Sequence, residues 1–223
     1  VDDDGKADFD NIQAAIDAAS DGDEIIVMPG TYTSTADEVV NMLGKAVWLH
    51  SSKGAEVTII DGEGARRVFL SYNENPFQSP VIIEGFTITG GYADSGGGIS
   101  VSETNLTLIH CTFENNTADY DGGGMSNYNN SSPTVTNCTF SGNAANDGWG
   151  GGMFNLVNSN PAVSNCTFSD NTAGDGSGMS NNNSSPTLAD CTFENNTAYR
   201  GGGMYNYNNS NPSLTGCTIE NNT

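Results

Sequence analysis

The stretch Asn137-Cys138-Thr139-Phe140-Ser141-Gly142-Asn143, with Gly150-Gly151-Gly152-Met153 downstream of it, decides the fold of this 223-residue chain. Its Cys-Thr-Phe core returns as Cys111-Thr112-Phe113, Cys166-Thr167-Phe168 and Cys191-Thr192-Phe193, and once more as Cys217-Thr218-Ile219. The cysteines stand 27, 28, 25 and 26 residues apart. A period in this range marks a solenoid, in which each unit buries its apolar face only against its neighbours.

Around this unit the apolar residues fall into columns. Ile83, Leu108, Val135, Val163, Leu188 and Leu214 form one, and Phe86 leads a second that the five cysteines continue. Ile88, Phe113, Phe140, Phe168, Phe193 and Ile219 form a third; Ile99, Met125, Met153, Met179 and Met204 form a fourth. These positions predict three short strands per unit. Before each cysteine stands His110, Asn137, Asn165, Asp190 or Gly216, mostly residue types that tolerate the left-handed backbone of a sharp bend. Three residues after each aromatic stands Asn116, Asn143, Asn171, Asn196 or Asn222, predicting a second bend whose stacked amides hydrogen-bond from coil to coil. Glycine triplets at 96–98, 122–124, 150–152 and 201–203 read as tight turns. Pro133, Pro161, Pro186 and Pro212 open the next strand, where a missing N–H is tolerated.

The pattern predicts an all-β solenoid, a parallel β-helix, filling residues 1–223 as a single domain. Residues 1–32 read as an N-terminal cap and first strand, 33–80 as divergent early coils, and 81–223 as regular coils of about 26 residues with the last incomplete. In the cap, Asp10 and Gln13 are spaced as a capping box, and Ile12, Ala15, Ile16 and Ala19 make one apolar stripe of a short helix. Gly22 is placed to stop that helix. A strand follows at Ile25-Ile26-Val27. The polar stretch Ser71–Ser79 reads as an outward loop.

The opening, Ile12-Gln13-Ala14-Ala15-Ile16 followed by Gly22-Asp23 and Pro29-Gly30-Thr31-Tyr32, resembles the N-terminal cap of the pectin-lyase-like right-handed β-helix superfamily. Ile60-Asp61-Gly62 and Glu84-Gly85-Phe86-Thr87-Ile88 are similar to early coils of its secreted bacterial members. The later units, pairing Phe-x-x-Asn with Gly-Gly-Gly-Met, look like repeats of bacterial polymorphic outer-membrane proteins. The resemblance implies a right-handed helix. It leaves function open, because such folds serve lyases, hydrolases, adhesins and structural surface proteins alike.

Formal net charge is −21, from 27 acidic and 6 basic residues. That balance argues against nucleic acid and against an anionic membrane surface as partners. No apolar run is long enough to span a bilayer. High acidity, few lysines and many Asn, Ser and Thr suggest a secreted or cell-surface protein. Five cysteines at one repeat position cannot all pair, and they read as a column of free, buried thiols.

Candidate chemistry is sparse, and no catalytic set is predicted. Lyases of the resembled superfamily use clustered carboxylates with Arg or Lys; here Arg66 and Arg67 near Asp61 and Glu63 read as a solvated turn, and Arg200 lacks a basic companion. His50 and His110 are isolated, and Glu114 and Glu194 share a repeat position as structural residues do. Asp94, Asp119, Asp121, Asp147 and Asp175 form an acidic row that could take Ca²⁺, although no cofactor is required. Tyr92, Tyr120, Trp149 and Tyr199 form an aromatic row suited to stacking on glycans or on a neighbouring protein, and Tyr128, Phe154, Tyr205 and Tyr207 make a second. Asn105, Asn115, Asn129, Asn130, Asn182, Asn183, Asn195, Asn208 and Asn221 are glycosylation candidates; Asn137 and Asn165 also open sequons but are expected beside the core. The leading expectation is an extracellular structural or adhesive scaffold that self-associates through its ends as a fibre or surface-layer subunit. The alternative is a carbohydrate-binding or carbohydrate-active protein.

Overall fold

The computed structural model describes residues 1–72, 81–104 and 106–223. The sequon at Asn105 and most of the expected polar loop lie outside the described residues. Ser71 and Tyr72 belong instead to the strand Thr58–Tyr72, with Ser71 buried.

The chain winds into stacked coils whose strands all pair in parallel. One sheet of eight strands runs Glu24–Val27, Trp48–Ser51, Val81–Glu84, Leu106–Ile109, Thr134–Thr136, Ala162–Ser164, Thr187–Ala189 and Ser213–Thr215. We call it the first ladder. The other strands form three further ladders, joined at the early coils by the long strands Thr58–Tyr72 and Thr87–Ser95. A single coil shows all four positions: Leu106–Ile109, Thr112–Glu114, Thr117–Asp121 and Met125–Tyr128.

Four strands per coil replace the three expected. The additional one is Thr117–Asp121, repeated as Ala144–Trp149, Thr172–Asp175 and Thr197–Arg200. It turns only a small residue inward, with Ala118 and Ala145 fully buried, so no large apolar column announces it.

The predicted columns are the strand registers. Leu49, Ile83, Leu108, Val135, Val163, Leu188 and Leu214 pair in sequence along the first ladder. Ile60, Ile88, Phe113, Phe140, Phe168, Phe193 and Ile219 do so along the second. The phenylalanines stack face to face, with ring centroids 4.6, 4.8 and 4.6 Å apart. Strand spacing is about 4.8 Å, so one residue type at one position places its rings in contact without adjustment. Met125, Met153 and Met179 are fully buried along the fourth ladder.

The bends follow backbone chemistry. His110, Asn137, Asn165 and Asp190 all have φ between 51° and 54° at the corner before the cysteines. At the second corner the left-handed residues are Asn115, Asp170, Asn195 and Asn221, one position earlier than expected. Asn116, Asn143, Asn171, Asn196 and Asn222 instead turn inward and form the predicted ladder. The Nδ2 groups of Asn116, Asn143, Asn171 and Asn196 donate to the Oδ1 of the next coil, at 3.0, 3.0, 2.9 and 2.8 Å. The same Nδ2 atoms donate to Ile88, Phe113, Phe140 and Phe168 carbonyls. A second ladder joins Asn127, Asn155, Asn181 and Asn206 at 2.8 Å per step. The glycine turns pass so close to the next coil that a Cβ on Gly124 would sit 2.6 Å from the Gly152 carbonyl oxygen.

At the capped end, the helix is Ile12–Ala18 and buries Ile12, Ala15 and Ile16 as the stripe predicted. Its N-cap is Asn11 rather than Asp10: the Asn11 side chain accepts the Ala14 N–H. Gln13 reaches sideways, accepting from the Asn41 N–H at 2.7 Å, which ties the cap to the next coil. The helix ends at Ala18, and Gly22 serves the following turn with φ +90°.

Candidate functional site

The turns between the third and fourth ladders carry most of the predicted site. The aromatic row does not assemble as expected. Tyr120 and Tyr199 stand out into solvent, 59% and 91% exposed. Tyr92 hydrogen-bonds through its hydroxyl to Asp119, which raises its own pKa. Trp149 leaves this row and joins the second one. Its ring lies 5.8 Å from Phe154 and 5.9 Å from Tyr207, while Tyr128 meets Phe154 edge-on at 6.2 Å. In the coil between those of Trp149 and Tyr207, the residue paired with Phe154 is the small Ser180. Tyr205 stacks by Tyr207 at 6.4 Å, and the Arg200 guanidinium sits 5.0 Å from the Tyr205 ring centre. These side chains pin the third-ladder turns onto the outer face of the fourth, where Ser126, Phe154 and Ser180 are buried.

The acidic row separates into individual partnerships. Asp119 takes the Tyr92 hydroxyl. Asp121 accepts the Trp149 N–H at 3.2 Å, and burial pushes its carboxyl pKa up. Asp175, almost fully buried, is held by two bonds from Arg200, at 2.8 and 2.5 Å. Asp94 and Asp147 are exposed. Among the described residues no three His, Cys, Asp or Glu side chains come together as a metal-holding group.

The basic residues read as turns do have structural partners. Arg66 pairs with Glu63 at 2.5 Å. Arg67 donates to the Ser95 and Gly96 carbonyls and lies 3.4 Å from Glu38, bridging coils. His50 and His110, however, are not isolated. On the outer face of the first ladder His50 hydrogen-bonds Glu24 at 2.9 Å and stacks on Trp48 with centroids 4.3 Å apart. The Trp48 indole N–H donates to Glu84 at 3.2 Å, and His110 lies 3.8 Å from the other Glu84 oxygen. Trp48 is 39% exposed, with Ile26 exposed beside it. This patch was invisible in the repeat because it draws single residues from successive early coils. Chemically it offers an aromatic face framed by hydrogen-bond acceptors. A cavity of about 550 Å³ lies nearby under the cap, between Phe9, Ala15, Ala19, Ile25 and Met28.

The described sequons cluster at left-handed corners. Asn115, Asn129, Asn130, Asn183, Asn195, Asn208 and Asn221 have positive φ and are exposed, whereas Asn182 lies within a strand. Asn137 and Asn165, expected beside the core, are exposed as well, because the left-handed corner turns their side chains outward.

A family model described as a right-handed β-helix region matches residues 47–223. No curated protein and no solved structure gives a significant match to the chain.

Proposed function

The chain belongs to the right-handed β-helix family, and we propose that it is a stiff structural or adhesive scaffold working outside the cell or at its surface, where it self-associates end to end as a fibre or surface-layer subunit. One observation carries this reading: the recurring polar residues are engaged in holding coil to coil. Asn116, Asn143, Asn171 and Asn196 each bond both the next amide and a backbone carbonyl. Asp175 and Arg200 likewise hold each other across neighbouring strands. A repeat conserved in this way along its own axis supports mechanical continuity. A strand edge left uncovered at the end of a parallel solenoid is a template for further strands, which is the physical basis for end-to-end association. Sedimentation velocity across a concentration series, with electron microscopy of the same sample, tests the proposal. Concentration-dependent growth into filaments is expected; a monomer at every concentration would remove the fibre version.

A second reading, glycan binding, is favoured by the exposed Trp48 ring beside Glu84 and by the solvent-facing Tyr120 and Tyr199. A glycan array, with and without Ca²⁺, tests it. Binding that survives Trp48→Ala and Tyr199→Ala together would place the sugar elsewhere, and a blank array would remove this reading.

A further inference from the structure

The cysteines use none of their sulfur chemistry in the scaffold just described. Cys111, Cys138, Cys166, Cys191 and Cys217 are all free thiols, and the first four are buried. Their backbones run in ladder register: Thr139, Thr167, Thr192 and Thr218 N–H groups donate to the preceding cysteine carbonyls at 2.9–3.0 Å. Their side chains share one orientation. Each Sγ lies 3.2–3.5 Å from the carbonyl oxygen two residues earlier in its own coil. Cys138 and Cys166 Sγ also accept the Cys111 and Cys138 N–H groups, both at 3.4 Å. Identical side chains in identical orientation repeat at the strand spacing, so neighbouring sulfurs stand about 4.8 Å apart along the axis.

We propose that this column is a linear binding site for a soft divalent metal ion, Hg(II) being the ion it fits, each ion held between the Sγ atoms of two adjacent coils. Metal–thiolate bonds of about 2.3 Å, placed end to end, span about 4.6 Å, close to the spacing of the column. The sulfurs lie in a row and do not converge on one point, so a tetrahedral Zn²⁺ site cannot form without moving the backbone. Thiolates select soft ions. Two thiolates neutralise one divalent ion, so Hg(II) enters a buried column without leaving net charge there. Cu(I) or Ag(I) would leave one negative charge behind, which an apolar interior disfavours. In the binding step two S–H bonds break, two Hg–S bonds form and two protons pass to solvent; no atom changes oxidation state. A disulfide would instead require the sulfurs to close to about 2.05 Å, turning both out of the shared orientation.

Five thiols in a row make two adjacent pairs with one left over. This gives the site a signature that scattered thiols lack. The reduced, folded protein is titrated with Hg(II), desalted against a competing small thiol that strips singly held ions, and weighed by native mass spectrometry. Two ions per chain are expected. Alanine at Cys111, Cys166 or Cys217 leaves two adjacent pairs and two ions. Alanine at Cys138 or Cys191 leaves one pair and one ion. The same loss in all five variants would overturn the proposal, as would no retained ion in folded protein whose thiols react once unfolded. X-ray absorption on the wild-type complex needs no variant to fold. It should show two sulfur neighbours, and three or four would overturn the linear site.

Discussion

Asn127 and Asn155 occupy one position in successive coils but bear different burdens. Asn127 begins its ladder opposite Val101, so its Oδ1 is a buried acceptor without a donor. Asn127→Ala removes that orphan and creates another at Asn155 Oδ1, with no net change in unpaired polar groups. Asn155→Ala strands the Asn127 Nδ2 and the Asn181 Oδ1 together. Each buried orphan costs about 1–3 kcal/mol, so the two orphans should make Asn155→Ala more destabilising than Asn127→Ala by about 2–6 kcal/mol in urea unfolding. Asp121 gives a pH-dependent counterpart. Burial raises its carboxyl pKa, so the ionised form is disfavoured in the folded state. That handicap is absent in acid, sets in as pH rises past the ordinary Asp pKa and is complete above the raised one. Asp121→Asn keeps an acceptor for the Trp149 N–H without the charge. It should melt higher than the wild type at pH 7, and the difference should vanish by about pH 3, below the ordinary carboxylate range.

Strands of three or four residues are stable here only because each is stacked on its counterparts. The Phe113–Phe193 stack shows how much one position carries. Phe140 touches rings on both sides and is fully buried. Phe140→Ala should cost about 3–5 kcal/mol, with hydrogen exchange rising mainly in the coils holding Phe113 and Phe168, since units of a solenoid lean on their neighbours. What the sequence revealed follows the same logic. Columns of Leu, Phe, Cys and Met stand out because large apolar residues return at a fixed period. The strand Thr117–Asp121 did not, because Ala118 is its only fully buried residue. The Asn127 ladder was hidden among Asn129, Asn130 and other exposed asparagines of similar spacing. The Trp48 patch has no period at all, and only the winding of the early coils brings Glu24, His50 and Glu84 together.

On the scale of the whole molecule, the eight first-ladder strands among the described residues leave seven spacings. At about 4.8 Å each, the strand stack extends about 34 Å along the axis. Small-angle scattering from the monomer should give a body of that axial extent plus the cap, and a markedly more compact or spherical profile would contradict the stacked coils. The amide ladders lend this body a property of their own. Every Oδ1 in the ladder accepts from its N-terminal side, Asn116 Oδ1 from the Gly91 N–H and the others from the Nδ2 of the coil before, while the second N–H of each Nδ2 returns to a carbonyl of the preceding coil. Side-chain amides aligned this way add their dipoles as the peptides of a helix do, so the interior is polarised from one end to the other. Two such molecules meeting head to tail continue the alignment, whereas two meeting head to head oppose it. Any fibre they build is therefore expected to be polar, growing by a heterologous contact with two chemically different tips.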